Sequence, residues 1–184
     1  MFYSVFDYFL REVRIKVSNI SQIKKQDKVL DVCCGTGDQA ILFSKNSDFV
    51  YGVDLDQRMI EFAIKKNSNV RFGVAYGEIL PFPDEYFDVV SITLALHEKD
   101  ENLREKVFNE IKRVVKKDGR IIVADYNCPM PFNFLSIVVK IIEWFAGDYH
   151  YKSFRNYLSK NGLNNLKIKE QEFAFKNIIK IVKL

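Results

Sequence analysis

The sequence predicts an α/β protein built on a doubly wound, mostly parallel sheet that ends in an antiparallel hairpin. Three observations carry this reading. Five short apolar runs between residues 28 and 126 are interleaved with stretches of helical spacing, the pattern of strands covered by helices on both faces. The first run opens directly into a glycine turn, "VLDVCCGTGDQA" (29–40), and open α/β sheets hold their ligands at such strand ends. The last stretch, "LKIKEQEFAFKNIIKIVKL" (166–184), forms two alternating runs around Lys176-Asn177, which read as a β-hairpin.

Taken in order, "FYSVFDYFLREVRIKV" (2–17) is amphipathic, with Phe2, Val5, Phe6, Phe9 and Val13 on one side. It suits a helix that closes over a site or meets a second copy. "KVLDVC" (28–33) is the first strand, and the helix "DQAILFSKN" (38–46) follows the turn. "DFVYGVDL" (48–55) is the second strand, with Asp56 placed to cap the helix 56–67. "NVRFGVA" (69–75) is the third strand; the turn residues "PFPDEY" (81–86) lead into the fourth, "FDVVSITLAL" (87–96). Leu103, Val107, Phe108, Ile111, Val114 and Val115 recur at helical spacing over 101–117, closed by Asp118-Gly119, and "RIIVADY" (120–126) is the fifth strand. The aromatic stretch 131–151 is interrupted by Lys140 and Glu143 and is too short to span a bilayer, and 152–163 reads as a short helix ended by Asn161-Gly162.

With 184 residues, 48% hydrophobic and 28% charged, the chain fits a single domain with a real core. No stretch reads as a signal peptide, so the expected compartment is the cytoplasm. The net charge of +4 gathers at the two ends. No basic stripe with interleaved aromatics forms, so no nucleic-acid partner is expected. Three cysteines make no disulfide framework. Cys33 and Cys34 are adjacent, Cys128 is distant, and His97 and His150 lie far apart; none of this is metal-site spacing, so no metal is expected.

The glycine turn has a physical reading of its own. Gly35 and Gly37 leave the backbone bare enough for a ligand to press on it, and Asp54, nineteen residues after Gly35, ends the second strand where an acid accepts from ribose hydroxyls. Asp56 already serves as a cap, which leaves Asp54 for that role. Gly35 to Ala40 satisfies G-x-G-x-x-A, so a nicotinamide-dependent oxidoreductase is one alternative. Asp31 and Asp38 on either side of the turn oppose a pyrophosphate and favour a cationic ligand. S-adenosylmethionine, with its sulfonium, ammonium, carboxylate and ribose, suits that arrangement.

"VLDVCCGTGD", "YGVDLDQRMI", "LPFPDEYFDVVSITLALH" and "FNEIKRVVKKDGRIIVADYNCP" together resemble the class I S-adenosylmethionine-dependent methyltransferases, most of all the branch of the ubiquinone and menaquinone C-methyltransferases. The likeness covers roughly residues 28 to 128. It implies a Rossmann-like, seven-stranded sheet whose last strand is antiparallel. It also implies that Asp31 and the Cys33, Gly35, Thr36 and Gly37 backbone hold the methionine part, Asp54 the ribose, and Leu55 and Met59 the adenine, with Leu94 near the sulfonium. Met59 suits plain core packing as well. One departure stands out: the chain reads Ala75-Tyr76-Gly77-Glu78 where family members often have Gly-Asp-Ala before a Glu. Tyr76 therefore takes the acidic position, and Glu78 is either a substitute acceptor or an exposed loop acid. This departure keeps a non-catalytic cofactor-binding protein as a further alternative.

For the acceptor side, Phe132, Phe134, Trp144, Phe145 and Tyr149 would form an apolar wall or lid suited to a small apolar or aromatic molecule. Core packing and shallow membrane contact are the other readings of that stretch. His97, just after the fourth strand, and His150 are the candidate bases if the acceptor must lose a proton; His97 suits a structural role equally. The expected organisation is one domain, comprising a closing helix (1–25), a cofactor core (28–128), an acceptor-pocket or lid insertion (129–163) and the hairpin, as a monomer or homodimer.

Overall fold

The computed structural model describes residues 2–66, 69–127, 168–174, 177 and 179–184, with side chains from residue 10 onward. The elements are α1 (Phe2–Ser21), β1 (Lys28–Val32), α2 (Asp38–Phe43), β2 (Phe49–Asp54), α3 (Gln57–Lys65), β3 (Arg71–Val74), β4 (Phe87–Thr93), α4 (Glu101–Val114), β5 (Val115–Tyr126), β6 (Glu170–Ala174) and β7 (Ile179–Lys183). The strands form one seven-stranded sheet in the order β3-β2-β1-β4-β5-β7-β6. The first five pair in parallel, and β7 lies antiparallel between β5 and β6. From β1 the chain winds outward to β2 and β3, and then returns to place β4 on the other side of β1. The carboxyl ends of β1 and β4 therefore flank the topological switch point, the crevice where such sheets take ligands.

The apolar pattern explains the layers. Val29, Leu30 and Val32 of β1 and Val89, Val90 and Ile92 of β4 are almost wholly buried, as strands covered on both faces must be. On α4, Val107, Phe108, Ile111 and Val114 form the buried stripe, and Asp100 caps its start by accepting from the Leu103 amide at 2.9 Å. Asp56 does the same for α3 through the Arg58 amide at 2.8 Å. Val13, Val17 and Ile20 bury one face of α1, which packs on α2 and on β5, β6 and β7.

Several boundaries differ from the sequence pattern. The helix expected over 101–117 stops at Val114, because the amides of Glu85 and Tyr86 take the carbonyls of Arg113 and Val114 at 2.8 Å each. Val115 then pairs with Phe87 and starts β5 early, with an irregularity in the pairing between Phe87 and Val89. Gly119 lies inside β5, where a Cβ would stand 2.6 Å from the Val115 side chain and 2.9 Å from the Lys116 carbonyl oxygen. β4 ends at Thr93, short of Leu96, because Leu94 turns out of the sheet at φ +53°. The hairpin turn contains Asn177 at φ +67°, while Lys176 lies outside the described residues. So do Cys128, the stretch 131–151, the short helix 152–163 and His150.

Candidate cofactor site

The glycine turn is fastened to the end of β2 at two points, Val53 and Asp54. The Cys34 amide donates to the Val53 carbonyl at 2.9 Å, and the Gly37 amide closes the turn on the Cys34 carbonyl at 2.9 Å. The Gly35 amide donates to Asp54 Oδ2 at 2.7 Å, and the Asp56 amide donates to Asp54 Oδ1 at 3.0 Å. The two glycines serve different ends. Gly37 has φ +79°, and a Cβ there would stand 2.5 Å from the Phe72 ring and 2.9 Å from Ala63, so it is required for packing. Gly35 has φ +53° and no atom within 4 Å of where a Cβ would stand, so its face of the turn is open.

Over that open face lies a cavity of about 230 Å³, lined by Leu10, Val13, Arg14, Asp31, Cys33, Cys34, Gly35, Thr36, Asp38, Gln39, Thr93 and Leu94. Asp31 is 1% exposed. Its Oδ1 accepts from the Ser91 hydroxyl at 2.9 Å, and its Oδ2 has no hydrogen-bond partner. Burial raises its pKa to about 7, with the Ser91 hydrogen bond opposing and the Asp54 charge adding. Gln39 Oε1 and Thr93 Oγ1 are also buried without partners. Three of the four such side-chain atoms among the described residues thus belong to the lining of this one cavity, and buried polar groups require a partner. Cys33 and Leu94 both hold positive φ, +56° and +53°. That conformation costs a non-glycine residue about 1–2 kcal/mol and gathers at ligand sites.

Asp38 is engaged by its neighbours. It meets Arg14 of α1 at 3.2 Å and Lys66 at 2.5 Å, and accepts from the Thr36 hydroxyl at 3.0 Å. Burial pushes its pKa up, but the Lys66 hydrogen bond and the Arg14 and Lys66 charges outweigh this and hold it below the ordinary value. Burial also raises both thiols, Cys33 to about 11 and Cys34 further, so both are neutral at physiological pH. Gly52 makes room for Cys34, whose Sγ would stand 3.1 Å from a Cβ there. Among the described residues no three His, Cys, Asp or Glu side chains gather in a way that could hold a metal ion.

Beyond the ends of β2 and β3 a second set of side chains is left uncovered: Leu55 is 56% exposed, Met59 36%, Tyr76 55% and Ile79 71%. Met59 is therefore not a core residue. Glu78 is half-buried in the same loop, where Tyr76 bridges Ile79. A Cβ on Gly77 would stand 3.4 Å from Val107 of α4. His97 is buried, its Nδ1 2.8 Å from Asp125 Oδ1 and its ring edge-on to Tyr126 at 4.6 Å. The Leu96, His97 and Tyr126 amides donate to the same Asp125 carboxylate at 2.9, 3.3 and 2.8 Å. Asp125 thus ties the loop after β4 to the end of β5, and His97 is not among the residues that line the cavity. The sequence pattern missed Arg14, Gln39, Thr93 and Asp125. Only α1, read as a closing helix, pointed toward Arg14.

Two predictions follow from this geometry. Urea denaturation should show Gly37→Ala less stable by about 2–4 kcal/mol, from left-handed strain plus overpacking, and Gly35→Ala by only about 1–2 kcal/mol, from strain alone; equal losses would contradict the open face at Gly35. For Asp31, the folded pKa lies above the unfolded one, so its stabilising effect is complete below about 3.8 and is lost as pH rises through about 7. The melting temperature of the wild type, relative to Asp31→Asn, should therefore fall across that window, and a flat difference would mean that Asp31 is not desolvated.

The residues present fit a ligand carrying hydrogen-bond donors or a cation at Asp31, a ribose at Asp54 and a flat apolar ring at Leu55 and Met59. Residues 29–119 match the family described as Methyltransferase domain. YcgJ of Bacillus subtilis, named an uncharacterized methyltransferase, is 35% identical over 114 residues, which are 59% of this chain and 44% of YcgJ. Its crystal structure superposes with a TM-score of 0.59 at 28% identity, covering 72% of this chain and 56% of that one. The demethylmenaquinone methyltransferase of Lactobacillus johnsonii is 30% identical over 179 residues, covering 86% of this chain and 71% of the relative. The chain thus spans less than half of one of these relatives and about seven-tenths of the other. The PH0226 protein of Pyrococcus horikoshii shares the fold, with a TM-score of 0.72 at 23% identity over 96% of this chain and 89% of that one. These likenesses favour the adenosyl cofactor over the nicotinamide alternative, and with the seven-stranded order and the acid-flanked glycine turn they establish that the chain belongs to the class I S-adenosylmethionine-dependent methyltransferases.

Proposed function

We propose that this protein transfers a methyl group from S-adenosylmethionine to a small apolar or aromatic acceptor. The observation that carries the reading is the cavity over Gly35, at the switch point of the sheet, with the unpartnered Asp31 Oδ2 in its lining. The cofactor, when bound, supplies a methyl group already activated on a sulfonium, so the chain's task is to position, to desolvate and to balance charge. Asp31 and Asp54 would place carboxylates around a cationic ligand. Asp54, held by two backbone amides, would accept from ribose hydroxyls. Leu55 and Met59 would cover the adenine, and Tyr76 its edge in place of the usual acid, with Glu78 nearby. Leu94, turned out of β4, would form the apolar wall beside the reacting centre.

The acceptor class rests on the aromatic stretch 131–151 and on the name of the Lactobacillus johnsonii relative, which points to a quinone-type ring. For an acceptor that must lose a proton, His97 and His150 are the candidate bases; His97, with Nδ1 on Asp125 and outside the cavity lining, would serve only if the acceptor reached the loop after β4.

Calorimetric titration with S-adenosylmethionine, S-adenosylhomocysteine and NAD tests the reading. The two adenosyl ligands should bind at micromolar concentrations and NAD should not. Asp54→Ala should weaken S-adenosylhomocysteine by about tenfold or more, the effect of removing a charged acceptor. Binding of NAD with no adenosyl binding would overturn the proposal.

A further inference from the structure

We propose that Gln39 and Thr93 are specificity residues which, with Asp31, take the hydrogen bonds of a primary ammonium group on the ligand. The argument starts from hydrogen-bond satisfaction. Asp31 Oδ2, Gln39 Oε1 and Thr93 Oγ1 are buried, lack partners and belong to the lining of the same cavity. Each can accept, and an ammonium offers three donors and no acceptor. The arrangement of Gln39 fixes which end of its amide is available. Its Nε2 donates to the Arg14 carbonyl at 3.4 Å, which turns the donor end toward α1 and leaves the carbonyl oxygen. Asp31 is likewise half-satisfied, with Oδ1 on Ser91 and Oδ2 left over. Thr93 ends β4 just before the left-handed Leu94, so its hydroxyl stands where the strand gives way to the site. Three acceptors with one carboxylate among them match a cationic donor, whereas a carboxylate or phosphate there would meet repulsion from Asp31.

The inference rests on the cofactor reading above, in which the ammonium is that of the methionine part. It adds that two neutral side chains, one on α2 and one on β4, read that group. A ligand that keeps the adenosine but lacks the amino-acid end should then be indifferent to both.

Calorimetry with three probes separates these roles: S-adenosylhomocysteine, its decarboxylated form S-adenosyl-3-thiopropylamine, and 5′-methylthioadenosine. Thr93→Val and Gln39→Met remove an acceptor with little change of shape. Each should weaken the two amine-bearing probes by about tenfold, the scale of a hydrogen bond to a charged group, and leave 5′-methylthioadenosine within about twofold. Thr93→Ser, which keeps the hydroxyl, should restore wild-type affinity. Unchanged methylthioadenosine binding also reports that the variants are folded. Equal loss on all three probes, or no loss on any, would overturn the assignment. Loss on S-adenosylhomocysteine alone would mean that the two residues serve the carboxylate, and would overturn it as well. If the wild type bound none of the three, the cofactor reading would fail first and the inference with it.

Discussion

The hydrogen bond from the Gly35 amide to Asp54 Oδ2 is the constraint on which the site depends. At 2.7 Å it joins the turn after β1 to the acid that ends β2, so two segments nineteen residues apart act as one rigid ledge. The Asp56 amide holds the other oxygen, and the same stretch begins α3. Each carboxylate oxygen keeps further lone-pair capacity for a ligand donor. The orientation of Asp54 is therefore set by the fold before any ligand arrives, and pre-organisation of this kind lowers the entropy cost of binding.

Three acids near the turn have three electrostatic fates. Asp54 is held by amides. Asp38, the acid after the turn, is occupied by Arg14 and Lys66, and so fastens α1 and the end of α3 to the site. The expectation that Asp38 helps to select a cationic ligand loses force, since its charge is already balanced. On the proposed reading that selection would fall on Asp31, which is buried with one oxygen unpartnered and has its pKa raised to about 7. A cation in the cavity would favour its ionised form, so ligand charge and the protonation of Asp31 are linked.

Much of this was legible in the sequence. The apolar runs located β1 to β5 because strands covered on both faces must be apolar throughout, and the acids before α3 and the glycines after β1 marked a cap and a turn. The end of α4 was not legible: Val114 and Val115 continue the helical spacing, and only the amides of Glu85 and Tyr86, nearly thirty residues away in the chain, decide where the helix stops. The position of β7 between β5 and β6 was equally hidden, since a hairpin pattern fixes pairing but not insertion. At the site, Asp31, Gly35 and Asp54 stood out by type and spacing, whereas Gln39 and Thr93 are ordinary residues that matter only because burial leaves an acceptor on each unpartnered. His97 was visible as a residue, but its tie to Asp125 needed the fourth and fifth strands side by side.

The most direct test is a crystal structure of the protein with S-adenosylhomocysteine. The homocysteine part should lie in the cavity between the Gly35 turn and Leu94, with a donor on Asp31 Oδ2, the ribose on Asp54 and the adenine over Leu55 and Met59. A ligand bound elsewhere, or one that leaves Asp31 Oδ2 without a partner, would contradict the account.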